Sequence, residues 1–184
     1  LTSIDSTQNT EQAVAYFNEL GYNSTDSEGY LTNEGGSRLT LKLLYNSDNA
    51  ARTSAAEQIS EQLRKCGVFV NLVGADFERY KALLESGQFD LYIGEIRFSN
   101  SLDASALYSG GAVYGVNSEG EAAKAYSAYA AGEGDILSAV SGFVSDMPLI
   151  PLCYRCGVLV VSNAAAGSIS YSISDVYNGI ESLG

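Results

Sequence analysis

Cys153, Tyr154, Arg155 and Cys156 carry the C-x-x-C spacing of thiol redox sites. Two thiols at that spacing exchange a disulfide when the first sits at a helix N-terminus, where the dipole lowers its pKa. Here Pro151 precedes the pair and Gly-Val-Leu-Val-Val follows, a strand-like setting. On a regular strand positions i and i+3 face opposite sides, so the two sulfurs would diverge. A thiol redox domain using Cys153 and Cys156 is therefore the alternative reading, and buried structural cysteines are its plainer counterpart. Only Cys66 is left over, and three thiols make neither a four-cysteine zinc site nor an even disulfide framework.

The chain contains no histidine. That removes Ser-His-Asp and Cys-His catalysis, histidine bases and most zinc sites. Glu95 and Asp103 form a nominal carboxylate pair, but no third group or ligand cluster supports them, and acids near a strand end are common. The acidic stretch DSEGYLTNE (26–34) fails as a calcium loop in both registers. With Gly29 at the loop's glycine position the closing acid falls on Gly35; with Glu34 closing, the glycine position is Glu28. It reads as a carboxylate-rich hairpin turn. The loop GGAVYG fits neither G-x-G-x-x-G nor the P-loop. The expectation is a protein that is not an enzyme, with no catalytic residues, no metal and no cofactor.

At 184 residues and 46% apolar content, the chain is long enough for one compact domain with a sizeable core. A net charge of −12, with the ten basic residues scattered, excludes a phosphate backbone as partner: no nucleic acid is expected. No apolar run approaches the roughly 20 residues that span a bilayer. Residue 1 is Leu, and the chain is expected to be a piece of a longer protein, with any targeting signal elsewhere.

The elements that must position any site follow from periodicity. Residues 11–20 place Val14, Phe17 and Leu20 on one helical face before Gly21. Turn clusters at 26–29 and 33–37 bracket a short strand and lead to a longer one over 39–45. Ser47 or Asp48 is the expected N-cap of a helix burying Ala55, Ile59 and Leu63 and closed by Gly67. A strand over 68–73 follows, then a helix over 76–85 with Phe77, Tyr80 and Leu84 on one side. A third strand begins at Phe89. Helices are expected at about 120–131 and 134–146, then strands in LIPLCY and GVLVVSN, and a Ser- and Gly-rich tail.

Strand, helix, strand, helix, strand implies an α/β fold with a parallel sheet. Ligands of open α/β sheets bind outside the C-terminal strand ends. Three stretches lie there: Tyr45-Asn46-Ser47, Gly74-Ala75, and residues 95–103. A signalling receiver-like domain would need an acidic cluster after its first strand, and Tyr45-Asn46-Ser47 offers none.

Taken together, residues 11 to about 184 resemble the C-terminal lobe of the family 5 extracellular solute-binding proteins. These are the oligopeptide-, dipeptide- and nickel-binding components of ABC importers. AVAYFNELGY resembles the family's Ala-rich helix ending in Gly-Tyr, and LTLKLLYNSDNAARTSAAEQISEQLRKCGVFVNL its strand, Ala-Glu-x-Ile helix and Gly-Val/Ile-x-Val strand. FERYKALLESGQFDLYIGE resembles the family's Tyr-x-x-x-Leu-x-x-Gly-x-Phe/Tyr-Asp segment, and MPLIPLCY its Pro-x-Ile-Pro-Leu strand start. The motifs share order and spacing along nearly the whole chain.

The resemblance implies a periplasmic-binding-protein-like (type II) lobe with a mixed, mostly parallel sheet flanked by helices. Residues 1–184 would form this single domain, with an upstream N-terminal lobe on the other side of a small-solute or peptide ligand. The other implied partner is the ABC transporter membrane permease. The implied location is the extracellular face of the bacterial cytoplasmic membrane, lipid-anchored in the full-length protein, or the periplasm. Cleft-facing candidates are Tyr45, Asn46, Glu95, Arg97, Phe98, Ser99, Asn100 and Asp103. Peptide-binding members usually follow Phe/Tyr-Asp with Gly-Trp-x-x-Asp-Tyr, whose Asp pairs with the peptide's α-amino group. In this chain that Asp falls on Phe98 or Ser99 and the Trp on Glu95 or Ile96, which leaves Asp103 as the nearest acid further along the loop.

Overall fold

The structure, a computed structural model, describes residues 9–96, 104–109 and 119–153. They divide into two compact units, the first within 9–96 and the second within 104–109 and 119–153.

In the first unit, helix α1 (Thr10–Glu19) is capped by Asn9, whose side chain accepts from the Gln12 N–H. Ala13, Val14 and Phe17 pack on the core, but Leu20 is 73% exposed. Leu20 is the C-cap residue, where the chain already leaves the helical path toward Gly21 (φ 91°), so the 3.6-residue period no longer applies. Strands β1 (Ser24–Thr25) and β2 (Leu31–Thr32) form a small antiparallel ribbon. Asp26 Oδ1 closes its turn by accepting from the N–H groups of Glu28 and Tyr30. The acidic stretch is thus a hairpin turn, as its residue types suggested. Asp26 and Glu28 both hold the Arg38 guanidinium.

Strand β3 (Thr40–Asn46), helix α2 (Ala50–Lys65), strand β4 (Phe69–Ala75), helix α3 (Phe77–Glu85) and strand β5 (Leu91–Tyr92) form the centre. The sheet order is β4-β3-β5, and both pairings are parallel. Successive strand residues face opposite sides. Leu43 packs with Ala56, Val68, Val70 and Ile93, while Leu44 packs with Ala75, Tyr80 and Leu84. The central strand is therefore covered on both faces, as a parallel sheet requires.

Three details differ from the periodic reading. Asn49, not Ser47 or Asp48, caps α2, accepting from the Arg52 N–H at 3.1 Å. Asp48 is engaged elsewhere, accepting from the Phe77 N–H at 2.9 Å. Phe77 is half exposed, because it is the first residue of α3 and only Tyr80 and Leu84 are buried. Strand β5 has two residues rather than the run begun at Phe89. Before it, the Asp90 side chain accepts from the Lys42 N–H at 2.7 Å, and a carboxylate replaces a ladder carbonyl there.

The second unit holds α4 (Ser105–Ser109), α5 (Glu121–Ala130) and α6 (Ile136–Asp146). The last two match the expected helices; α4 was not foreseen. A Cβ at Gly142 would lie 3.0 Å from the Glu121 carbonyl oxygen and 3.1 Å from the Ala125 Cβ, so α5 and α6 pack at close backbone range. The Asp146 carboxylate accepts from the Ala122 N–H at 2.8 Å, filling one of the unpaired donors at the start of α5. The Ala104 N–H donates to the Tyr126 hydroxyl, and Tyr126 stacks on Tyr108 at 5.1 Å. The strand expected in LIPLCY is absent over 149–153. Pro151 lacks a ladder donor, and Ile150 and Leu152 are exposed rather than packed. GVLVVSN and the tail lie outside the described residues.

Candidate functional site

The parallel register brings the ends of β3 and β4 together, Asn46 opposite Ala75. The Ser47 N–H donates to the Ala75 carbonyl at 2.8 Å and extends the pairing by one bond. Beyond it the chain turns tightly. Asn46 Oδ1 accepts from the Asp48 N–H at 2.9 Å, Asp48 accepts from the first residue of α3, and Asn49 caps α2. Four consecutive residues thus fix the N-termini of two helices against the strand ends.

Tyr45 lies across from Gly74, its register partner. A Cβ at 74 would come within 2.8 Å of the Tyr45 hydroxyl and 2.9 Å of its ring, so the phenol occupies the space that glycine leaves. On the other side of β3, the chain leaves β5 through Ile93, whose N–H donates to the Leu44 carbonyl at 2.9 Å, and reaches Glu95. The Tyr80 hydroxyl donates to the Ile93 carbonyl at 2.9 Å. Burial pushes that phenol above its ordinary pKa, with Arg52 pulling weakly the other way. Arg52 itself reaches Glu95, Nη2 to Oε2 at 3.0 Å.

The segment FERYKALLESGQFDLYIGE now has a physical account. Tyr80 and Leu84 bury against β3, and Gly87 takes φ 64° to turn the chain. Phe89 meets Tyr92 edge-on, and Asp90 bonds to β3 through both its backbone and its side chain. Every recurring position serves to deliver Ile93 to Glu95 at the sheet's C-terminal edge.

Of the cleft-facing candidates, Tyr45, Asn46 and Glu95 all lie at that edge, with Ser47, Gly74 and Ala75 beside them. Arg97, Phe98, Ser99, Asn100 and Asp103 lie outside the described residues. Arg52 was not foreseen, although a signal existed. A cation in the first turn of a helix opposes the macrodipole, and such a misfit marks a residue held for another contact.

Among the described residues no three His, Cys, Asp or Glu side chains converge as metal ligands. Cys66 is buried and Cys153 exposed; Cys153 lies in irregular chain rather than at the start of a helix. Cys156 lies outside the described residues, and no feature of Cys153 supports the redox alternative.

Residues 2–117 match the family described as bacterial extracellular solute-binding proteins, family 5 Middle. The chain belongs to that family. Over 78 residues it is 31% identical to a probable ABC transporter-binding protein of Deinococcus radiodurans, covering 42% of this chain and 13% of that one. Its fold is similar to that of a periplasmic oligopeptide-binding protein of Thermotoga maritima, with a TM-score of 0.60, 20% identity, and coverage of 81% of this chain and 31% of that chain. The stachyose complex of MelB from Agrobacterium fabrum gives a TM-score of 0.58 and 20% identity over 76% of this chain and 25% of that one. AppA of Bacillus subtilis, in complex with a nonapeptide, gives 0.54 and 22% over 80% and 32%. The fold is the type II periplasmic-binding-protein α/β architecture, and the family is one of binding proteins rather than enzymes. The chain spans about 13% of the curated relative and under a third of each of these three structures.

Proposed function

We propose that this chain is the C-terminal lobe of the solute receptor of an ABC-type importer and supplies one wall of its ligand cleft. The observation that carries the reading is the sheet edge. In a family of solute-binding proteins, parallel strands β3 and β4 end together at Asn46 and Ala75, and β5, which ends at Tyr92 opposite Leu44, sends the chain on through Ile93 to Glu95. Polar groups gather there, where open α/β sheets take their ligands. Tyr45, Asn46 and Glu95 line this wall, and Arg97, Phe98, Ser99, Asn100 and Asp103 extend it. The ligand is a peptide or another small solute. Solved structures of similar fold hold a nonapeptide, stachyose and a nickel–histidine complex, so the fold accepts several chemistries.

On this reading residues 1–184 act as one lobe, an upstream lobe closes over the ligand, and a membrane permease receives it. The protein works outside the cytoplasmic membrane, lipid-anchored or in the periplasm, and turns nothing over. The test is thermal unfolding of the full-length protein against peptides, oligosaccharides and nickel chelates. A true ligand at a hundred times its Kd stabilises by about 2.7 kcal/mol, while the 184-residue chain alone, with half the burial missing, shifts far less. A full-length protein whose Tm ignores all three classes would rule the reading out.

A further inference from the structure

Asn46 combines two properties that rarely coincide. It is only 7% exposed, yet half of its carboxamide is unused. The Asp48 backbone N–H can only donate, so the atom facing it at 2.9 Å must be the carboxamide oxygen. That contact fixes which way the amide points and leaves Nδ2 on the opposite side. Among the described residues no acceptor lies within hydrogen-bond reach of Nδ2. Every buried side-chain nitrogen and oxygen among the described residues does have a partner. The Asn46 nitrogen, having none, therefore belongs to the small part of the residue that reaches the surface.

Its position is as telling as its state. Asn46 is the last residue of the central strand, in register with the last residue of β4. The turn that holds it also caps α2 and receives the first N–H of α3, so it cannot swing without loosening both helices. A donor that reaches the surface, is held in one direction and has no partner within the chain can take an acceptor from outside without breaking a bond inside the protein.

We infer that the Asn46 side-chain amide is a preset donor in the ligand cleft, reading an uncharged oxygen of the solute, a carbonyl or a hydroxyl. This rests on the cleft reading above and gives it a chemistry. An ammonium group at this point would meet a donor with a donor and is disfavoured. A neutral carbonyl or hydroxyl oxygen accepts the N–H without desolvating a charge.

The test uses the full-length protein and uncharged probes. Stachyose and mannohexaose present hydroxyls; a nonapeptide acetylated and amidated at its ends presents carbonyls. At least one probe is expected to bind. For that probe Asn46→Asp weakens Kd about tenfold or more. The carboxylate still accepts from the Asp48 N–H, so the ligand-free Tm stays within about 2 °C. A second measurement needs no variant: the Asn46 side-chain amide proton resonances shift, and their exchange slows, in the saturated wild-type complex. Wild-type affinity in Asn46→Asp, or unmoved Asn46 amide protons in that complex, overturns the inference and leaves the cleft reading standing. So does binding confined to charged ligands. Failure of every ligand class to bind the wild type sinks both.

Discussion

In the sheet unit, large aliphatic side chains do the burying: Leu44 and Val68 are almost wholly covered. In the helical unit the buried positions of α5 and α6 are Ala122, Ala123 and Ala139, while Ile136 and Leu137 stay 52% and 63% exposed. The first unit is held by side-chain volume on both faces of a sheet. The second is held by two helices brought close through the lack of side chains between them. On the cleft reading proposed above the difference bears on function, because a ligand edge must keep its strand ends fixed. The interdigitated core beneath Asn46 and Glu95 does that, and close-packed small residues tolerate change differently from large ones.

The largest expected effect breaks the sheet unit at its centre. Leu44→Ala removes a fully buried side chain that touches Tyr80 and Leu84, leaving a cavity that neighbours fill only in part. It should cost about 2–5 kcal/mol, read as a shift in urea midpoint with an unchanged m-value. A loss below about 1 kcal/mol would mean that the two-sided core is not what holds the edge.

Gly142→Val asks the converse question of the helical unit. The added Cβ meets the Glu121 carbonyl and the Ala122 and Ala125 atoms at 3.0–3.2 Å, contacts that only helix separation relieves. The expected cost is about 1–3 kcal/mol. In hydrogen exchange the α5 and α6 amides should lose protection, and β3 and β4 should keep theirs. Equal loss in both units would show that they unfold as one.

How far these arrangements were legible in the sequence depends on what each residue answers to. Tyr80 and Leu84 answer to periodicity, and so do Ala55, Ile59 and Leu63, which pack on the core only half-buried while their neighbour Ala56 is the fully covered residue of α2. Gly67 and Gly87 answer to positive φ, so β3, α2, β4 and α3 could be read directly. Leu20 and Phe77 could not, because a period has no meaning at a helix terminus. The choice among Ser47, Asp48 and Asn49 as cap was decided by Phe77, whose N–H claims Asp48 from 29 residues away. Strand β5 is short because a side chain, Asp90, takes a ladder position, which composition does not register. At the sheet edge, the positions of Tyr45, Asn46 and Glu95 were legible from topology, since each lies at or just beyond the end of a parallel strand. The Arg52–Glu95 pair and the tether of Asn46 to Asp48 were not, for both depend on how the turn closes.

The smallest expected effect contrasts one carboxylate from each unit. Burial works against Asp26, but the Tyr30 and Glu28 N–H groups and Arg38 together hold its carboxyl below the ordinary value. Asp135 is held below it by the Ser138 hydroxyl and N–H, as an N-cap of α6. A carboxyl depressed in the folded state contributes stability that is fully present above the unfolded pKa, about 3.9. That contribution is lost as pH falls through the lower folded value, because the unfolded chain takes up the proton first. Both carboxyls should therefore titrate below the ordinary range by NMR, and acid should loosen the β1–β2 turn and the start of α6. The two then part company on substitution. Asp135→Asn keeps a side-chain oxygen for the Ser138 N–H and remains a good cap, so neutral-pH stability hardly changes. Asp26→Asn keeps the Oδ1 bonds to the turn but turns an amide toward Arg38, so it should shift both the acid limb and the exchange of the Tyr30 N–H. If the two variants behave alike, Arg38 adds nothing to the turn, and the hairpin corner is closed by its backbone bonds alone.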